Sequence, residues 1–229
     1  MQEFSETDVQ DKTRAFFQKV FGWMFLGLII SGAVAFATYT LPGFSSLILG
    51  NPFILIVLVI LQLGLVLLLT WLLRRISATT AVVLFLVYSF ITGLTLSTVF
   101  IVYTLGSVVA VFFIAAAMFG VMALIGFVTR LDLSKLGVIL FMGLVGIILA
   151  LIVNIFLRSQ AFDFIISIIG VIIFTGLTAF DVQRIKKGSL KLSDDPKQQM
   201  KASISGALSL YLDFINLFLQ LLRLFGKRR

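Results

Sequence analysis

Neither cysteine nor histidine occurs anywhere in the 229 residues. Their absence removes disulfides, thiolate nucleophiles, zinc fingers, histidine-ligated haem and Ser-His-Asp triads together. A metal site built from this chain has only oxygen to offer, which suits hard cations such as calcium or magnesium. Charge is also scarce. Asp, Glu, Lys and Arg make up 12% of the residues, about half the roughly 25% usual in soluble domains. What fills the space is apolar, 60% of the chain. This composition excludes an ordinary soluble domain and predicts an all-α polytopic membrane bundle.

A net charge of +8 would suggest a nucleic-acid partner on a soluble surface. Here the bases sit in short loops between apolar runs, where they orient spans in the lipid bilayer, so no nucleic acid is expected. The first apolar stretch, Val20 to Leu41, is too long for a signal h-region and ends without a small-residue cleavage site. It reads as an uncleaved first span.

No charged residue lies between Val20 and Leu73, or between Ile76 and Thr129. Each run holds two crossings, since one needs about 20 residues. The first divides at Leu41-Pro42-Gly43 and Gly50-Asn51-Pro52, the second near Tyr103 to Ser107. Further runs predict seven transmembrane helices at 18–40, 53–73, 79–102, 107–128, 136–157, 163–183 and 203–225. Residues 1–17 read as a short cytosolic lead and 18–229 as a single transmembrane domain. Most loop bases fall on one side, and Arg158 alone falls in the three loops of the other, so the N-terminus is expected in the cytoplasm. The basic tail (Arg223, Lys227, Arg228, Arg229) strains that rule, yet the length of the last run favours a full crossing. The small residues Gly27, Gly32, Gly120, Gly143 and Gly146 are candidates for close helix contact.

Two acids lie inside apolar runs: Asp181 and Asp213. A carboxylate at a span centre costs upward of about 2.5 kcal/mol, which makes each a candidate functional residue. On the last span Ser205, Ser209, Asp213, Asn216, Gln220 and Arg223 fall within an arc of roughly 80°, a polar stripe that cannot face lipid. Interhelical hydrogen bonding explains the serines. It explains Asp213 poorly, because asparagine would bond as well without the ionisation problem. Asp181 admits a plainer reading, as a boundary charge paired with Arg184 or Lys186. Asp163, at the start of the sixth span, is expected to face solvent.

These residues resemble a known family. The run from Leu208 to Arg223, with Tyr211, Asp213 and Asn216, is similar to the C-terminal signature of the Bax inhibitor-1 family. Phe180-Asp181 resembles that family's aspartate on the sixth span, and Tyr88 to Ser97 its central motif. The resemblance covers nearly the whole chain and points to a bacterial-type member. It implies six helices around a central seventh, and a paired-aspartate site acting as a proton-sensitive latch for calcium leak. It also implies that an arginine ending the second span, Arg74 or Arg75, engages the pair. The chain departs from some relatives in carrying Gln62, not a carboxylate, within the second span. That leaves a second cation station there without its ligand.

The chemistry of such a latch is simple. Two carboxylates held close in a low-dielectric site cannot both ionise cheaply, so they share a proton and their arrangement depends on pH. Oxygens of Asp181, Asp213 and Asn216 suit a calcium ion that keeps some of its water. Ser209, Asn216 and Gln220 would line its path. The expectation is therefore a pH-sensitive calcium leak channel and not an enzyme: the glycine-flanked second aspartate of intramembrane aspartyl proteases is missing before Asp213. No cofactor is expected beyond calcium as the transported or bound ion, with protons as the second ligand. Other readings are a regulatory membrane protein with membrane-protein partners, as a cell-death suppressor or a membrane-protease modulator, and a proton-coupled exchanger. The expected location is a bacterial plasma membrane.

Overall fold

The computed structural model of the protein describes residues 6–43, 50–73, 75–193 and 195–229. Among these, seven helices are long and apolar enough to cross a membrane. The elements are α1 (Glu6–Thr40), α2 (Pro52–Leu72), α3 (Ala78–Leu96), α4 (Val99–Val102), α5 (Leu105–Val128), α6 (Ser134–Leu157), α7 (Gln160–Ser189) and α8 (Pro196–Phe225). No strand occurs among the described residues; a lone bridge joins Tyr103 to Arg228.

The helix ends follow local chemistry. Asn51 caps α2 by accepting from the Phe53 N–H at 3.0 Å, and Pro52 takes the first position, where no N–H is needed. Ser77 caps α3 by accepting from the Thr80 N–H at 3.0 Å. The third span is broken between α3 and α4. There the Ser97 and Thr98 hydroxyls donate back to the carbonyls of Leu94 and Thr95 at 2.6 and 2.8 Å, competing with the helix ladder. α1 begins well before the expected first span, and Thr13, Phe16 and Phe17 are already buried.

Contacts between Cα atoms divide the chain into two compact units. The first comprises residues 1–102, 188–211 and 229. In it α1 and α2 both pack on α3. A Cβ on Gly27 would meet the Phe85 ring at 2.8 Å, and one on Gly93 would meet the Ser31 carbonyl at 2.7 Å. These contacts bring α1 and α3 together closely enough for Ser31 Oγ to donate to the Ser89 carbonyl at 2.7 Å. The same hydroxyl meets the Tyr211 phenol at 2.6 Å. Gln62 of α2 donates to the Thr92 and Thr95 hydroxyls at 3.0 and 3.1 Å. It serves as interhelical glue.

The second unit comprises residues 103–187 and 212–228. Phe112 and Phe119 of α5 meet Phe214 edge-on, with centroids 5.4 and 5.6 Å apart. Gly143 of α6 accommodates Ile173 of α7. Gly32, Gly120 and Gly146, by contrast, have no neighbour within 4 Å of a Cβ position, so they are not close-contact sites.

α8 is one uninterrupted helix of 30 residues, about 45 Å at 1.5 Å per residue, long enough for a full crossing. None of residues 206–224 is exposed. Burial covers 56% of the apolar window in both α7 and α8, against 11% in α2. Within that stretch Ser209, Asp213, Asn216 and Gln220 of the polar stripe are shielded together with the leucines, whereas Ser205, just before it, is exposed.

Candidate functional site

Asp181 sits on α7, which is held from two sides in the second unit. Gly126 of α5 lies directly against the Ala179 backbone, and Gly137 of α6 against the Phe180 ring. Only a residue without a side chain allows approaches this close. The segment Ala179-Phe180-Asp181 is therefore clamped by two glycines on neighbouring helices.

The loop joining α5 to α6 is tied to the same end of α7. Gln183, 5% exposed, accepts from the Leu133 N–H at 2.9 Å and donates to the Leu131 carbonyl at 2.7 Å. Lys186 Nζ donates to the Phe127 carbonyl at 2.7 Å and lies 4.5 Å from that ring's centroid, closing the C-terminus of α5. Lys187 bonds Asp132 at 2.5 Å. That hydrogen bond, with those from Ser134, holds the exposed Asp132 carboxyl down at about 2.

Both expected acids are buried, Asp181 at 8% and Asp213 at 6% exposure. Asp181 and Arg184 each lie within Coulombic reach of Asp213. Arg184 Nη2 stands 3.2 Å from Asp181 Oδ1, one turn along α7, with its side chain 54% exposed. Asp181 thus pairs with Arg184, as the boundary-charge reading expects. Lys186 donates to the Phe127 carbonyl. Asp213 Oδ2 is buried without a hydrogen-bond partner among the described residues. A buried acceptor left bare costs about 1–3 kcal/mol, more when charged, and groups of this kind call for an account.

The remaining expected residues are placed as follows. Asn216, half-buried, donates its amide back to the Leu212 carbonyl of its own helix at 2.8 Å. Gln220 is buried against Gly170, where a Cβ would stand 2.7 Å from its Cδ, and its Oε1 has no partner among the described residues. Ser209 is half-buried. Arg75 is exposed and forms no ion pair among the described residues. Arg74 lies outside the described residues. Asp163 does not face solvent alone; Arg223 Nη1 approaches its Oδ1 at 3.6 Å.

No group of three or more acidic side chains suited to a metal cage occurs among the described residues. Sequence reasoning missed Gly126, Gly137 and Gln183. Their importance depends on which helix each one faces, and a helix's own periodicity does not carry that information.

The sequence model of the family described as "Inhibitor of apoptosis-promoting Bax1" matches residues 13–229. An uncharacterized protein of Borreliella burgdorferi is 46% identical over 100% of this chain and 97% of its own length. The inner membrane protein YbhL of Escherichia coli K12 is 45% identical over 100% of both chains. An uncharacterized membrane protein of Streptococcus pyogenes is 35% identical over 93% of this chain and 92% of its own.

Proposed function

The chain belongs to the Bax inhibitor-1 family of multi-pass membrane proteins, and from that premise we propose that it is a pH-sensitive calcium leak channel of the bacterial plasma membrane, with the N-terminus in the cytoplasm. Gating rests on Asp181 and Asp213 as a proton-sharing pair. The observation that carries the reading is a buried Asp213 with one bare carboxylate oxygen and a second buried acid in Coulombic reach. A carboxylate inside an apolar span is expensive, which calls for a use.

In this mechanism a proton held between the two carboxylates keeps α7 and α8 together. When the proton leaves, like charges in a low-dielectric site repel. Arg184 then competes for the charged Asp181, and the second helix is released. Calcium crosses partly hydrated, drawn by the ionised carboxylates, with Ser209, Asn216 and Gln220 replacing lost waters along α8. The two gating states differ in which partner each aspartate holds, and that difference makes their populations follow pH.

The test is calcium flux into liposomes holding the purified protein, followed between about pH 6 and 8, the range in which the missing histidine would otherwise act. Wild-type flux should change with pH, and the Asp181→Asn plus Asp213→Asn variant should lose that dependence. An unchanged profile in the double variant removes the pair as the gate. Absence of flux in every preparation leaves a regulatory membrane protein without transport of its own.

A further inference from the structure

We infer that a second site, at the opposite end of α7 from Asp181, binds the phosphate of an anionic phospholipid headgroup. A cavity of about 350 Å³ opens there, lined among others by Arg158, Arg223, Arg228, Asp163, Asn154 and Ser159. Its lining residues include three arginines against one aspartate, so the lining is strongly cationic. Asp163 and Asp181 are 18 residues apart on one helix, about 27 Å, which separates this site from the aspartate pair.

Each arginine is brought there by a distinct structural device. Arg158 has φ 50°, in the left-handed region, and is the one such non-glycine among the described residues. Glycine or asparagine usually takes that position at a helix end. Here Asn154 holds the turn: its carbonyl accepts from the Arg158 N–H at 2.8 Å and its Oδ1 from the Ser159 N–H at 3.1 Å. Strain of this kind, kept at a residue that lines a cationic cavity, points to use. Arg228 arrives because the chain folds back after α8. Lys227 accepts from the Thr104 N–H at 3.0 Å and donates its own N–H to Ser107 Oγ at 3.2 Å. Arg223 supplies the third charge. Its Nη1 is buried without a hydrogen-bond partner among the described residues and stands 3.6 Å from Asp163. A guanidinium nitrogen shut off from water requires an acceptor, and planar two-point binding of phosphate suits arginine in particular.

The surroundings select a lipid over a free anion. Leu151 and Ile155 line the same cavity. Phe156 and Phe225, at the ends of α6 and α8, are 82% and 64% exposed. A cationic cavity with an apolar wall at the end of membrane-spanning helices matches a headgroup joined to acyl chains. It also accounts for the basic tail, which as mere loop charge ran against the orientation rule.

The experiment uses the full-length protein in an uncharged detergent, titrated with phosphatidylglycerol, phosphatidylcholine or inorganic phosphate. Retention is read by native mass spectrometry and stabilisation by thermal unfolding. Phosphatidylglycerol should bind and raise Tm, and phosphatidylcholine should do neither. Each of Arg158→Gln and Arg228→Gln should weaken phosphatidylglycerol about fivefold. Asp163→Asn should strengthen it, a gain that a misfolded protein cannot show. Unchanged phosphatidylglycerol affinity in these variants overturns the site. Equal binding of phosphatidylcholine overturns the charge argument, and equal stabilisation by inorganic phosphate overturns the lipid assignment.

Discussion

Gly126 of α5 rests directly on the backbone of Ala179 in α7, two residues before Asp181. The carboxylate is therefore positioned by a helix–helix contact with no room for a side chain. Gly126→Val must push the helices apart. It should destabilise the protein by about 1–3 kcal/mol or more, as overpacking does, and show a clear fall in Tm in detergent. Gly120→Ala, six residues earlier and with open space around it, should be neutral or gain up to about 1 kcal/mol from helix propensity. Equal effects from the two would refute the contact.

The Ser31 hydroxyl and the Tyr211 phenol, 2.6 Å apart in the first unit, form a testable pair. A double-mutant cycle of Ser31→Ala and Tyr211→Phe should give a coupling of about 0.6–2 kcal/mol, the range for hydrogen bonds between membrane helices. The readout is unfolding in mixed micelles. A coupling near zero would mean that the bond contributes no net stability.

Gln183 satisfies both the Leu131 carbonyl and the Leu133 N–H. Gln183→Leu keeps the volume and removes both bonds, leaving two backbone groups of the loop without their partner. The loop should then open more often. Trypsin should cut at Arg130 several-fold faster than in the wild type, under conditions in which the helices stay intact. An unchanged cleavage rate would show that Lys186 and Lys187 suffice to hold it.

Asp132 supplies a pH control. Lys187 and Ser134 hold its carboxyl at about 2, below the ordinary 3.8. A lowered value stabilises the folded state above the unfolded value, and the effect is lost only as pH falls from about 4 toward 2. Asp132 therefore stays ionised from pH 6 to 8. Asp132→Asn should leave the midpoint of any pH-dependent calcium flux where it was. A midpoint moved by a full pH unit would transfer the pH response from the buried aspartates to this loop.

Much of the architecture could be read residue by residue. The seven spans were legible because burying a charge in hydrocarbon is costly wherever it occurs, so runs such as Val20 to Leu73 declare themselves; the helices themselves run past those limits, to Glu6, Ser189 and Pro196. Caps at Asn51 and Ser77 depend on residues one to three positions away. The same reasoning picked out Asp181 and Asp213 as anomalous, since each is expensive in its own helix regardless of neighbours.

Relations between helices were not legible in this way. Periodicity names the face of a helix but not the partner or the register along it. Nothing local distinguishes Gly126 and Gly137, which seat Ala179 and Phe180, from Gly120 and Gly146, which meet open space. Nor does it tell that Asn216 turns back to Leu212, or that Arg228 returns to Tyr103. Local sequence set the seven spans and the two costly acids, because those energies are paid within a few residues. Packing set which side chains meet, because contact energies arise only between surfaces that the fold has already brought within van der Waals range.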